Sequence, residues 1–112
     1  MKQISCVIRP EKLDAVTEAL NQEHIVGMTV SDVRGFGRQK GKVEHYRGDE
    51  YTIKFISKVK LDIVLQDQDV DKVMAAITKA ARTGNVGDGK VFVLEVSNAM
   101  RIRTGEKGTS AL

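Results

Sequence analysis

Hydrophobic and polar positions along this chain spell one theme twice. Ile4, Cys6 and Ile8 alternate with Ser5, Val7 and Arg9 until Pro10 stops the run, which predicts a strand over residues 2–9. From Glu11 to Glu23 the period lengthens. Leu13, Val16, Ala19 and Leu20 recur at helical spacing, while Lys12, Asp14, Glu18 and Gln22 take the wet side. Gly27 turns the chain, and Met28 to Phe36 resumes strand character through Val30, Val33 and Phe36. A second unit of the same order follows. Val59, Leu61, Ile63 and Leu65 alternate between Lys58 and Gln66, and Asp67 or Asp69 is placed to cap a helix with the stripe Val70, Val73, Met74, Ile77, Ala80 and Ala81. Gly84 is expected to end that helix, and Val91, Val93 and Glu95 then alternate with Phe92, Leu94 and Val96 in a last strand.

Two β-α-β units without an identical repeated sequence predict an α+β fold. The arrangement expected is a ferredoxin-like split β-α-β sandwich, with two helices on one face of a four-stranded antiparallel sheet. A length of 112 residues suits a single domain spanning 1–112, with a core that needs no metal or disulfide. Three segments are left over: a long loop at about 37–57, a glycine-rich loop at about 84–90 and a C-terminal segment at about 97–112. Connections near 20 residues are uncommon between neighbouring strands and usually functional. Alternation around Tyr46 and Tyr51, with Arg47-Gly48 between them, makes a protruding hairpin the expectation for the first; an insertion without a role is the alternative.

Composition narrows the function. Cys6 is the single cysteine, so no internal disulfide forms, and the longest uncharged run, His24 to Ser31, is far short of a bilayer span; a cytoplasmic protein is expected. A net charge of +3 with acids and bases interleaved, 4% aromatics and no Trp argue against nucleic acid as a partner, an RNA-binding domain of this fold included. His24 and His45 have no Cys or His neighbours at metal-ligand spacing, and no nucleophile motif or acid/base pair stands out.

What remains points to anions. Gly84-Asn85-Val86-Gly87-Asp88-Gly89-Lys90 has the glycine and lysine spacing of a P-loop, but Val91 stands where Ser or Thr is needed, and the run follows a helix instead of opening one. A P-loop ATPase is therefore rejected. Glycines 84, 87 and 89 still allow backbone N–H groups to converge on an anion beside Lys90, with a helix end and turn as the equal alternative. Gly35-Phe36-Gly37-Arg38-Gln39-Lys40-Gly41 is a second glycine-rich basic strand end, and not a dinucleotide turn, since no helix follows. Arg101 and Arg103, if extended, share one face and can grip phosphates. Solvated turns and charges explain each alone; together they point to a polyphosphate ligand.

Those same segments, Gly27-Met28-Thr29-Val30, Arg34 to Gly41, Tyr46-Arg47-Gly48 with Glu50-Tyr51, Ala81 to Lys90 and Arg101 to Glu106, make the chain resemble the PII signal-transduction proteins of nitrogen regulation along essentially its whole length. The resemblance implies a homotrimer that binds ATP or ADP in clefts between subunits, and 2-oxoglutarate beside Mg-ATP. Its long loop, the T-loop, would dock onto an ammonium transporter, which brings the protein to the membrane, and onto enzymes or regulators of nitrogen metabolism. Nucleotide-binding residues carried over are Thr29, Gly35, Gly37, Arg38, Val64, Gly87, Asp88, Gly89, Lys90, Arg101 and Arg103. Gln39 would meet Mg2+ and 2-oxoglutarate, with Lys40, Gly41, Lys58 and Gly87 completing the 2-oxoglutarate site. No catalytic residue is implied; a slow ATPase of the same fold is the alternative. Tyr51 matches the tyrosine that a uridylyltransferase modifies in many members. Asp62 stands where Glu is common, Ser57 where Pro is frequent, and Asp49 where some members carry a phosphorylated Ser.

Overall fold

A computed structural model describes residues 1–25, 27–36, 44–46, 49–51 and 55–112. Its strands and helices run in the order β1 (Lys2–Ile8), α1 (Leu13–Gln22), β2 (Thr29–Phe36), β3 (Glu44–Tyr46), β4 (Asp49–Tyr51), β5 (Phe55–Leu65), α2 (Val70–Ala81) and β6 (Gly89–Glu95). The main sheet has the order β2-β5-β1-β6, and every neighbouring pair is antiparallel. This is the expected ferredoxin-like sandwich.

Strand alternation decides what is inside. Ile4, Cys6 and Ile8 of β1 lie opposite Ile63, Leu61 and Val59 of β5, and all six are buried beneath Val16 and Leu20 of α1 and Val73, Ile77 and Ala81 of α2. Side chains of this size stabilise by about 1.5–3 kcal/mol each on burial, so this face dominates the fold. Cys6 belongs to it; burial pushes its thiol up to about 11. The other face of the sheet carries Gln3, Ser5 and Val7, the odd residues of β2, the even residues of β5 from Ile56 to Val64, and Lys90, Phe92 and Leu94. Val64, Phe92 and Leu94 are exposed there. Among the described residues no helix is long and apolar enough to cross a membrane.

Several boundaries differ from the periodicity. Pro10–Lys12 is a separate 3-10 turn before α1, which suits proline at a helical N-terminus. His24 closes α1 with φ of 61°, and Ile25 N–H donates to the Leu20 carbonyl at 3.0 Å, a left-handed C-cap without glycine. Neither Asp67 nor Asp69 caps α2 with its side chain. Asp67 instead pairs with the Met1 amino group at 3.0 Å and with Lys2, and both lower its pKa, while Asp69 pairs with Lys72. Gly84 does not end α2: the helix stops at Ala81, Arg82 is extended, and Gly84 lies in the loop beyond with φ of +90°. β5 begins at Phe55, inside the span assigned to the long loop, because Phe55 pairs with Phe36 and their rings sit 5.8 Å apart. Within that loop β3 and β4 pair antiparallel, Tyr46 opposite Asp49; the turn expected at Arg47-Gly48 lies outside the described residues.

Gly89 is the least replaceable position. It has φ of +106°, and a Cβ there would lie 1.7 Å from the Val7 carbonyl oxygen. Gly89→Ala is therefore expected to cost about 2–5 kcal/mol in urea unfolding, from backbone strain and steric displacement of β1 together. Gly84→Ala, strained in φ but facing open space, is expected to cost only about 1 kcal/mol.

Candidate functional site

The register gathers cations at one end of the open sheet face. Lys60 and Lys90 flank Val7 from the two neighbouring strands, Lys58 opposes Val33, and Arg9 leaves β1 at the same end. The glycine-rich loop between α2 and β6 closes over this end, and its shape depends on one carboxylate. Asp88 Oδ2 accepts the backbone N–H of Thr83 and of Gly84, each at 2.9 Å, while Oδ1 accepts the Thr83 hydroxyl and Arg9 Nε, the latter at 3.1 Å. Thr83 Oγ1 in turn accepts Asn85 N–H at 3.1 Å. The Thr83 hydroxyl, followed by the two backbone donors and Arg9, holds the Asp88 carboxyl well below the usual carboxylate range against the opposing effect of burial.

Two cations tie the far side of the loop to the sheet. Arg9 Nη2 donates to the Val86 carbonyl at 2.9 Å, and Lys58 Nζ donates to the Gly87 carbonyl at 2.5 Å. Burial first, and the Arg9 charge second, lower the Lys58 pKa from the ordinary lysine value, with Glu11 and Asp88 opposing. Gly87 has φ of +106°, and a Cβ there would lie 3.2 Å from Arg9 Nη2. Val86 and Gly87 form a turn that directs the Asp88 N–H back toward Asn85, while among the described residues the Gly87 N–H meets no protein acceptor. With Lys90, which forms no ion pair within the described residues, the Gly87 N–H is a donor suited to an anion.

Of the residues singled out in the sequence, Gly87, Asp88, Gly89, Lys90 and Lys58 therefore come together. Gly84 is beside them, but its N–H is already committed to Asp88. Thr29 and Val64 lie elsewhere on the open face: Thr29 opposes Asp62 at the β2 edge, and Val64 opposes Gln3. Gly35 sits in the same β2 edge, where an added Cβ would lie 3.4 Å from Lys58 Cγ. Asp62 is held within its own chain, accepting from Gln3 Nε2 at 3.1 Å and lying 3.9 Å from Lys60. Gly37, Arg38, Gln39, Lys40 and Gly41 lie outside the described residues; Tyr51 is placed by backbone alone, in β4 opposite Glu44.

The extended, shared-face arrangement of Arg101 and Arg103 is corrected. Residues 102–104 form a turn in which Gly105 N–H donates to the Arg101 carbonyl at 2.7 Å, allowed by φ of +74° at Gly105, and Arg101 N–H donates to the Glu106 carbonyl at 2.8 Å. Positions two apart in so tight a turn do not face one way. Arg101 is committed to the Leu112 carbonyl at 3.1 Å and to Glu106 at 3.5 Å, whereas Arg103 is exposed. Arg9 and Thr83 are the residues that sequence reasoning missed. Nothing local marks Arg9, since its partner is 79 residues away. Among the described residues no group of His, Cys, Asp and Glu is placed to hold a metal ion by itself.

Comparison with known proteins bears on what this loop serves. The family profile described as nitrogen regulatory protein P-II matches residues 1–106. Proteins named nitrogen regulatory protein P-II from Microchaete diplosiphon, Synechocystis sp. and Pasteurella multocida are 57%, 55% and 53% identical to it over 112 residues, covering 100% of both chains in each case. A profile match running through the loop, the sheet and the C-terminal turn, with end-to-end relatives at more than half identity, settles the assignment: this chain belongs to the nitrogen regulatory protein P-II family.

Proposed function

We propose that this regulator is a homotrimeric sensor, which binds ATP or ADP and 2-oxoglutarate in clefts between subunits and acts on its targets through the loop of residues 37–57. The observation that carries this reading is the division of the site. The base and ribose residues expected from the resemblance, Thr29, Gly35 and Val64, belong to β2 and its neighbour β5, whereas of the phosphate residues Gly89 and Lys90 open β6, the opposite edge of the sheet, and Gly87 lies in the loop before it. Three strand spacings separate those edges, about 14 Å. One chain offers two halves that a second copy can join. The exposed Val64, Phe92 and Leu94 of the open face provide apolar surface for that joining.

The charges fit the ligands. Lys90 and the Gly87 N–H suit phosphates, with Arg38, Arg101 and Arg103 expected to add charge. Lys58, already at the end of the sheet beside Gly87, is suited to a ligand carboxylate. A triphosphate and a dicarboxylate repel one another; Mg2+, held by the phosphates and the Gln39 amide oxygen, supplies the charge that lets both bind. Lys40 and Gly41 would complete the 2-oxoglutarate site. Because Gln39, Lys40, Gly41 and Lys58 belong to the base of the long loop, occupancy biases the loop shape that a target meets, by the difference in ligand affinity between loop states. That target is proposed to be an ammonium transporter or an enzyme or regulator of nitrogen metabolism, and Tyr51 is the candidate for uridylylation. Binding, and not turnover, is favoured: Asp62 and Asp88 are both hydrogen-bonded within their own chain, which leaves neither to orient an attacking water.

Light scattering at micromolar protein is expected to give the mass of three chains; a monomer mass refutes the shared cleft. Calorimetric titration with ATP, ADP and 2-oxoglutarate, separately and together, is expected to show 2-oxoglutarate binding tightly only in the presence of Mg-ATP. Lys58→Ala should abolish that second binding event and keep most of the affinity for ATP, because Arg9 and Asp88 still anchor the loop. Arg103→Ala, in a folded protein, should weaken ATP by about 1.5–3 kcal/mol, the contribution of a charged hydrogen bond. Equal 2-oxoglutarate affinity with and without Mg-ATP sinks the sensing mechanism.

A further inference from the structure

Asp88 is an acid in the middle of a loop proposed to take phosphate, where a free carboxylate would repel its ligand. It is not free. Thr83 N–H, Gly84 N–H, the Thr83 hydroxyl and Arg9 Nε all donate to it, so the loop is wrapped around an anion of its own. The consequence lies one residue away. With Thr83 and Gly84 turned inward onto Asp88, the Gly87 N–H is left without an acceptor among the described residues, and Arg9 Nη2 lies 3.2 Å from where a Gly87 Cβ would be. Arg9 adds a second link, since the same guanidinium that holds Asp88 also holds the Val86 carbonyl. Arg9 ends the central strand, and Lys58, which grips Gly87, comes from the next strand.

We propose that Asp88 is a positioning residue of the nucleotide site: its carboxylate presets the loop of residues 83–88 from inside and, through Arg9, fixes that loop to the end of β1, without touching the nucleotide or its metal. This rests on the nucleotide-binding reading above. A preformed set of donors spares the ligand the cost of ordering the loop, so the effect appears as affinity. It also gives one short segment, Val86 and Gly87, both the carbonyls that the cations hold and an N–H left for an anion.

The test uses the whole chain in native, Asp88→Asn, Asp88→Ala and Thr83→Val forms. Calorimetry with metal-free ADP and with Mg-ATP is expected to show both nucleotides weakened by the same factor in Asp88→Ala, about tenfold to a hundredfold, with smaller losses in Asp88→Asn and Thr83→Val. Amide exchange should speed up at Thr83 and Gly84 in the Asp88 variants while protection at Cys6 and Leu61 is unchanged, which a loss of overall stability would not produce. Adding Arg9→Gln to Asp88→Ala should weaken binding by less than the product of the two single effects, because both act through one contact. Unchanged or tighter nucleotide binding in Asp88→Ala overturns the proposal, as does a loss confined to Mg-ATP, which would make Asp88 a metal ligand. If the native chain binds neither nucleotide, the functional reading itself fails; unchanged exchange at Thr83 and Gly84 in Asp88→Ala would then still overturn the internal anchoring separately.

Discussion

Pairing of β1 on both sides is the constraint from which the rest of this structure follows. A strand held between β5 and β6 must place one face in the core and present the other, and Ile4, Cys6 and Ile8 fix which is which. The register then has no freedom, because a slip by one residue would send that whole set to the open face. Fixing β1 also fixes where it ends. Arg9 emerges at one point only, beside the start of β6, and Gly89 must pass so close to the Val7 carbonyl that no side chain fits.

The site inherits its rigidity from that arrangement. Loops carry function on a scaffold that positions them, and here the anchoring runs through charge: Arg9 from the central strand and Lys58 from its neighbour hold consecutive carbonyls, Val86 and Gly87, while Asp88 gathers the residues before them. Partial burial strengthens such charge-assisted hydrogen bonds, and it also makes an unpaired member costly. Cations that hold the loop are thus the same cations that an anionic ligand would meet. A ligand drawing Lys58 away from the Gly87 carbonyl would release part of the loop's anchoring, which places the two halves of the proposed response in physical contact.

Membership of the P-II family and the geometry answer different questions. End-to-end relatives establish what kind of protein this is. On the proposed reading, the two edges of the sheet would carry different halves of a site completed by a second copy. Asp62 is engaged by Gln3 and Lys60 on its own sheet face.

Period-2 and helical-period patterning determined the element order, the core residues from Ile4 to Ala81 and the antiparallel α+β class, because burial of one face leaves a local imprint on sequence. Glycine spacing and clustered basic residues raised the expectation of an anion site at the 84–90 loop and the C-terminal segment. Tertiary structure decided the remainder. Asp67 looked like a helix cap and became a partner of the chain terminus; Arg101 and Arg103 looked like a paired grip and were separated by a turn that Gly105 permits. Arg9 looked like the end of a strand and became the anchor of a loop 79 residues away. Each depends on which charges the fold brings within about 3 Å of one another, and hydrogen-bond partners at that range are set by strand order and register, which no local pattern contains.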